Sequence, residues 1–460
     1  MNQNEAGNGG TEFNRRDFIR GASFGTLMMM MGGVPLQAED STNGLQNTPY
    51  KAIDAPVNCA VIGCGMWGRE ILKTLAVLPN APVVAICDTY GPWLNRAKTE
   101  GAPKAETYKD YRQVLDLKTV EAVIVATPTH QHKEIVLAAL QAGKHVYCEV
   151  PLAGTMEDAR AIAQAAKAAV KVNFQSGLQN RSDPQRAFIR QFIRSGAMGK
   201  NVMTRSQWHK KQSWRRTSPS ADREKELNWR LQKATSTGLV GEIGIHQLDI
   251  INWFLGGLPV STTGYGGILG WNDGRDVPDT VQSLLQYPED VNYAFDATIA
   301  SSFDSDYEMM FGTFATVMMR GKNAWMFKEV DSPTLGWEPY ARRDVFFQET
   351  GIALAMDATK LVALQKKTVT EYTYEDSPLH FALKSFITNC DVTANGVKDF
   401  ISEYGPDAEG LPEHLASLSH GRQPAVGYLE GYEATITAIK ANEAIVSGGK
   451  VNIPKELFQL

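Results

Sequence analysis

His246 and Asp249 stand three residues apart in Gly244-Ile245-His246-Gln247-Leu248-Asp249, within a stretch whose apolar spacing predicts a helix over residues 243–255. That spacing puts both side chains on one face, while Ile245, Leu248 and Ile251 point elsewhere. A histidine oriented by a carboxylate is a competent base near neutral pH. His246 is therefore the candidate proton acceptor or ligand of a substrate hydroxyl, and Asp249 its orienter or a second ligand. His130 and His132, two apart on a loop, have a spacing that half a metal site would also show. No HExxH or CxxC cluster follows them, and no metal is expected.

Gly63-Cys64-Gly65-Met66-Trp67-Gly68 is a G-x-G-x-x-G between a predicted strand and a predicted helix. In that setting Gly63 permits a tight turn, Gly65 lets backbone approach a pyrophosphate, and Gly68 allows close helix packing. The helix N-terminus then offers unpaired N–H groups to the phosphates. Asp88 ends the second strand 20 residues after Gly68, where a carboxylate accepts from both ribose hydroxyls and repels a 2′-phosphate. The expected cofactor is NAD, with Met66 and Trp67 at its wall.

The elements that must hold these residues follow from periodicity. Residues 58–62, 83–87, 120–126 and 145–148 are short apolar runs, separated by helical patterns over 69–78 and 134–142. Continuous apolar strands alternating with helices predict a parallel, doubly wound α/β sheet over a domain of residues 56–178. Beyond residue 180 the texture changes. Residues 280–286 and 314–319 are longer, β-branched or aromatic, and joined by glycine turns, which predicts a mostly antiparallel sheet in a second α/β domain, 179–460. Residues 429–447 read as a helix ended by Gly448 and Gly449.

The chain has 460 residues, 43% hydrophobic and 21% charged, which fits two folded domains and excludes a disordered or collagen-like chain. A net charge of −5 without like-charge blocks indicates neither a nucleic-acid surface nor a polybasic membrane patch. Five cysteines without repeated spacing argue against a disulfide framework and read as small core residues. Arg15 and Arg16 precede an apolar run from Gly21 to Leu36, and Ala38 then stands before Glu39 and Asp40. This pattern predicts a twin-arginine export signal over residues 1–38, followed by a polar linker over 39–55. The run is too short and too broken by glycine and proline for a stable membrane anchor, so the mature protein is expected in the periplasm or outside the cell.

Further pieces carry a resemblance. Ala126-Thr127-Pro128-Thr129-His130-Gln131-His132, then Ala142-Gly143-Lys144-His145-Val146-Tyr147-Cys148-Glu149-Val150-Pro151, and the segment with His246 and Asp249, together with the glycine turn, make the chain similar to the Gfo/Idh/MocA family. The resemblance implies a Rossmann domain followed by a domain on a large open sheet, with the nicotinamide facing a sugar-sized substrate between them. It places Thr127, Pro128 and His132 beside the cofactor, Glu149 on the nicotinamide ribose, and Val150 next to it. It also implies a homo-oligomer.

Dehydrogenases of this family usually carry Glu-Lys-Pro where this chain has Glu149-Val150-Pro151, and valine cannot move a proton. The Glu-Val pair resembles the NAD-dependent family 109 glycoside hydrolases. Free NAD is scarce outside the cytoplasm, so an exported enzyme has to recycle it in place. A second substrate achieves this, and so does a redox-neutral cycle through a 3-keto sugar. The expectation is an NAD-dependent enzyme on a sugar or glycoside, a glycosidase first and a sugar oxidoreductase second; a non-catalytic sugar-binding or scaffold protein is the third reading. The basic, aromatic stretch from Arg205 through Trp208, His209, Lys210, Lys211 and Trp214 to Arg216 suits carbohydrate, and Lys210 or Lys211 is a candidate replacement for the missing lysine.

Overall fold

The computed structural model describes residues 55–346, 349–354, 376–406 and 408–460. The expected export signal and all but the last residue of the linker lie outside the described residues.

Cys59–Ile62 (β1) is buried along its whole length, so both of its faces need covering. It leads through the glycine turn into Met66–Ala76 (α1), Val83–Cys87 (β2), Gly91–Glu100 (α2), Glu106–Tyr108 (β3), Tyr111–Leu115 (α3), Ala122–Val125 (β4), His132–Gln141 (α4), His145–Cys148 (β5), Met156–Ala168 (α5) and Phe174–Ser176 (β6). These strands form one parallel six-stranded sheet in the order β3-β2-β1-β4-β5-β6, the doubly wound arrangement expected from the apolar runs. Side chains alternate between its faces: Cys59, Val61 and Ile124 enter one core, and Ala60, Ile62 and Val125 the other.

The second domain runs through Pro184–Arg194 (α6), Asn201–His209 (β7), Ala221–Leu227 (α7), Gly238–Glu242 (α8), Ile245–Leu255 (α9), Ser261–Gly267 (β8), Thr280–Gln286 (β9), Asn292–Thr298 (β10), Asp306–Gly312 (β11), Ala315–Arg320 (β12), Asn323–Lys328 (β13), Arg343–Phe346 (β14) and Glu349–Ala353 (β15). Pro378–Tyr404 (α10), Leu411–Ser417 (α11), Tyr428–Ser447 (α12) and Val451–Asn452 (β16) complete it. Its ten-stranded sheet has the order β14-β15-β13-β12-β11-β7-β10-β9-β8-β16. Strand β7 runs parallel to β10 and antiparallel to β11, and the remaining pairs are antiparallel. Burial alternates along β9 and β10. The inner face packs on α9 and α12 through Ile245, Leu248, Ala438 and Ile445, and the outer face is open.

Helix α10 returns to the first domain. Leu379, Leu383, Phe386 and Ile387 join the core built by β1 and α1, where each such burial is worth roughly 1.5–3 kcal/mol relative to exposure. Gln175 donates to Ala382 O at 2.8 Å, and the Phe386 ring meets Tyr147 edge-on at 5.6 Å. The two domains are thus held together by α10, whose first turn also lines the cleft between them.

The helix expected over residues 243–255 begins instead at Ile245, because α8 ends at Glu242 and the chain bends at Ile243 and Gly244. A Cβ on Gly244 would lie 2.6 Å from both Val240 O and the Phe295 ring, so this bend is set by a close approach to β10. All five cysteines are buried in the cores. Among the described residues, no helix is long and apolar enough to cross a membrane.

Candidate active site

The carboxyl ends of β1, β2, β4 and β5 open on a cleft of about 1150 Å3 whose far wall belongs to the second domain. Gly63, Gly65, Met66, Trp67, Asp88, Thr127, Pro128, His132, Glu149, Val150 and His246 all line it. Two of the expected site residues stand behind its walls. Gly68 packs against the turn, and Asp249, in the middle of α9, is buried.

The glycine turn is built for close approach. Gly63 has φ +99°, and a Cβ there would sit 2.5 Å from Ala126 O. A Cβ on Gly68 would sit 1.9 Å from Gly63 O, a distance no side chain tolerates. Gly65 caps α1 without a side chain, and no acidic residue stands in the first turn, so the positive end of the helix faces the cleft. Asp88 Oδ2 accepts from Cys64 N at 2.8 Å and Oδ1 from Tyr90 N at 2.7 Å, which fixes the carboxylate at the end of β2. Burial pushes the Asp88 carboxyl up, while those amides, Arg223 and Arg69 pull it down.

At the other end of the sheet Glu149 is buried, and burial raises its pKa to about 7 against the pull of Trp67, the Val150 amide and Arg230. Its Oε1 is buried without a hydrogen-bond partner among the described residues, as is Thr127 Oγ1. Buried acceptors are normally satisfied, so these two oxygens fit a wall that meets a hydroxyl-bearing group such as a nucleotide ribose. With the glycine turn and Asp88, they make the groove suited to NAD. His132 lines the same wall between two loops, Nδ1 3.0 Å from Pro151 O and Nε2 3.0 Å from Thr127 O, and the neutral ring donates to one of these two carbonyls. Burial lowers its pKa to about 4.

On the far wall, burial lowers the His246 pKa to about 4, so the ring is neutral at physiological pH with a lone pair available. Among the described residues no group hydrogen-bonds that ring. Asp249 is not its orienter. Arg181 Nε donates to Asp249 Oδ1 and Oδ2 at 3.1 and 3.0 Å, and Nη2 to Oδ1 at 2.6 Å. The expectation fails because a buried carboxylate is drawn to a fixed guanidinium far more strongly than to a neutral imidazole.

A residue missed in the sequence stands four before His246. Glu242 is buried at the domain junction, accepting from Thr237 N at 3.1 Å, Thr237 Oγ1 at 2.9 Å, Arg230 Nε at 3.4 Å and Thr129 Oγ1 at 3.5 Å. Its spacing from His246 was the available signal; the intervening helix break hid it. Of the basic stretch, Trp208, Trp214 and Arg216 line the cleft, while Lys210 and Lys211 are exposed outside it, so neither replaces a lysine at Val150. His209 pairs with Asp296 Oδ2 at 2.6 Å. Among the described residues no cluster of His, Cys, Asp or Glu is placed to hold a metal ion.

A parallel sheet ending in a glycine turn and a carboxylate fixed at the end of β2, facing an open sheet across one cleft, defines a two-domain NAD-binding protein. Residues 57–177 match the model described as oxidoreductase family, NAD-binding Rossmann fold, and residues 187–317 match the GFO/IDH/MocA C-terminal domain. The chain belongs to the GFO/IDH/MocA family of oxidoreductases. It is 30% identical to levoglucosan dehydrogenase of Pseudarthrobacter phenanthrenivorans over 44% of this chain and 51% of that one. It is 26% identical to 2,7-anhydro-N-acetylneuraminate hydratase of Escherichia coli over 57% of this chain and 67% of that one. The chain spans about half the length of most curated relatives it matches. The fold is shared with a levoglucosan dehydrogenase structure in complex with NADH and levoglucosan, at a TM-score of 0.62 and 19% identity, covering 87% of this chain and all of that one.

Proposed function

We propose that this protein is an exported, NAD-dependent enzyme that acts on a sugar or glycoside, with redox-neutral glycoside cleavage as its reaction. The observation that carries this reading is Val150: the cleft wall beside Glu149 presents an isopropyl group where the family's dehydrogenases usually present a lysine, and Lys210 and Lys211 stand outside the cleft. NAD held between the glycine turn, Asp88 and Glu149 would supply a reversible hydride acceptor for a ring carbon, so that a complete cycle would consume no net oxidant. His246 takes the proton made acidic at C2 by a ketone at C3, and gives it back after water has replaced the aglycone at C1. Glu149 holds the nicotinamide ribose through its unpartnered Oε1, and Trp208 and Trp214 offer flat apolar faces to a sugar ring. Glu242 bridges the two domains behind this chemistry.

The hydratase among the relatives favours the redox-neutral reading, because a hydratase by name adds water without net oxidation. The dehydrogenases among them favour the second reading, a sugar oxidoreductase that recycles its cofactor on a second substrate. Copies of the chain pair through the outer face of the ten-stranded sheet, where Met203 and Leu284 are exposed. Export rests on Arg15 and Arg16 and is tested by locating the protein after replacing both with lysine. The reaction is tested with chromogenic glycosides of both anomers in heavy water. Release of the chromophore with deuterium at C2 and no oxidised sugar supports the glycosidase; oxidised sugar that appears only with a second acceptor supports the oxidoreductase.

A further inference from the structure

Arg216, Arg223 and Arg230 recur at seven-residue intervals in the segment between β7 and α8, and all three line the cleft. Each reaches a different part of the nucleotide-binding wall. Arg223, on α7, places Nη2 3.8 Å from Asp88 Oδ1 and donates from Nη1 to Thr89 Oγ1 at 3.1 Å and Glu226 Oε2 at 2.6 Å. Its guanidinium lies over the Tyr90 ring at 4.6 Å and near Trp93 at 5.9 Å. The side chain is 19% exposed, and its buried Nε has no partner among the described residues. Arg216 donates to the Met66 thioether inside the glycine turn. Arg230 stacks on Trp229 at 4.5 Å and acts electrostatically on Glu149.

The segment is fastened from behind. Asn228 accepts from Arg216 N at 2.7 Å and donates to Arg216 O and Glu224 O, each at 2.8 Å. Asp276 N donates to Leu231 O at 3.1 Å, and Arg275 donates to Ser213 O at 2.5 Å. The arginines are therefore held at fixed stations along the groove, from Asp88 through the glycine turn to Glu149.

We propose that residues 212–231 are a strap that clamps a bound dinucleotide from the second domain, with Arg223 on the adenosine ribose and Arg216 at the pyrophosphate, so that the nucleotide stays resident between turnovers. A pyrophosphate carries two negative charges, and planar guanidiniums are the side chains best suited to such oxygens. Because these two come from the domain opposite the glycine turn, the nucleotide leaves only when the strap lifts, which slows dissociation more than association. The idea takes NAD as ligand from the reading above but needs no particular sugar chemistry.

The test is nucleotide retention, read without any sugar. The wild type, Arg216→Ala, Arg223→Ala and the double variant are purified without added nucleotide, and bound nucleotide is released by heat and quantified. Dissociation of NADH is then followed by loss of energy transfer from tryptophan during a chase with excess NAD. The wild type is expected to keep its nucleotide through gel filtration, each single variant to release it about tenfold faster, and the double variant about a hundredfold faster. Arg223→Lys, which keeps charge but not the planar stack on Tyr90, restores only part. Glu443→Gln, at an exposed residue of α12 that pairs with Lys440 and does not line the cleft, should release no faster than wild type. Retention by the double variant equal to wild type overturns the proposal, as does release by Glu443→Gln as fast as by Arg223→Ala. A wild type that sheds its nucleotide sinks the strap. One that keeps it yet yields oxidised sugar sinks the glycosidase reading and leaves the strap standing.

Discussion

Asp249 gives both carboxylate oxygens to Arg181, one of them at 2.6 Å, and so leaves His246 one turn earlier without a charged companion. Arg181 and Asp249 are largely buried, with side-chain exposures of 15% and 1%. Breaking such a pair from one side strands a charge, at a cost of about 3 kcal/mol or more. Asp249→Asn is therefore expected to lower the denaturation midpoint while leaving nucleotide affinity unchanged, as measured by urea unfolding and titration calorimetry. Wild-type stability combined with lost turnover would move Asp249 back into the chemistry.

His246 carries the opposite expectation. Its ring lines the cleft and makes no hydrogen bond among the described residues, so His246→Ala should retain nucleotide and fold while turnover falls by roughly a hundred- to ten-thousandfold. Burial holds its pKa near 4 rather than its usual 6.5, so the ring is neutral and able to accept a proton down to about pH 5. The acid limb of kcat/KM should accordingly lie well below pH 6.5. A limb at 6.5 that disappears in His246→Ala would place the ring in open solvent instead.

Glu149 gives stability a pH dependence of defined sign. Burial raises its pKa from the usual 4.5 to about 7, so the folded state holds this proton more tightly than the unfolded chain. Below about pH 4.5 both states are protonated and nothing is lost. As pH rises to about 7 the unfolded chain ionises first, stability falls by about 3 kcal/mol, and above that it levels off. Nucleotide-free Glu149→Gln should lack this loss, and its melting temperature relative to wild type should rise between pH 5 and pH 7. Parallel melting curves for the two proteins across that range would remove Glu149 as the source.

The sequence is most legible where local pattern and burial coincide. The runs at residues 83–87, 145–148 and 280–286 occur as strands with the bounds read from them, because a strand buried on one or both faces writes that burial into its residues. The glycine turn and Asp88 were legible because their spacing is dictated by backbone geometry. What was hidden depends on partners distant in the chain. Leu379, Leu383, Phe386 and Ile387 have helical spacing, yet nothing in it says that they complete the core of β1 and α1. Asp249 looked like the partner of His246 because Arg181, 68 residues earlier, is invisible as a neighbour in one dimension. The stretch containing Arg216 looked suited to carbohydrate, and only the fold turns that arginine onto Met66.

Val150 is the residue on which the choice of reaction can be forced. It packs against the cores of both domains while lining the cleft beside Glu149. In Val150→Lys the methylene stem can follow the same apolar surface and carry an ammonium towards the cleft, at a stability cost of about 1–3 kcal/mol from overpacking. There it can hydrogen-bond a substrate hydroxyl and move its proton, and as a nearby positive charge it should draw the Glu149 pKa down from about 7. Reduced nicotinamide is then expected to accumulate with a free sugar, detected by its absorbance, while chromophore release from glycosides declines. If the variant folds, binds nucleotide and shows neither change, proton transfer in this cleft does not pass through the position next to Glu149, and the weight placed on its valine is removed.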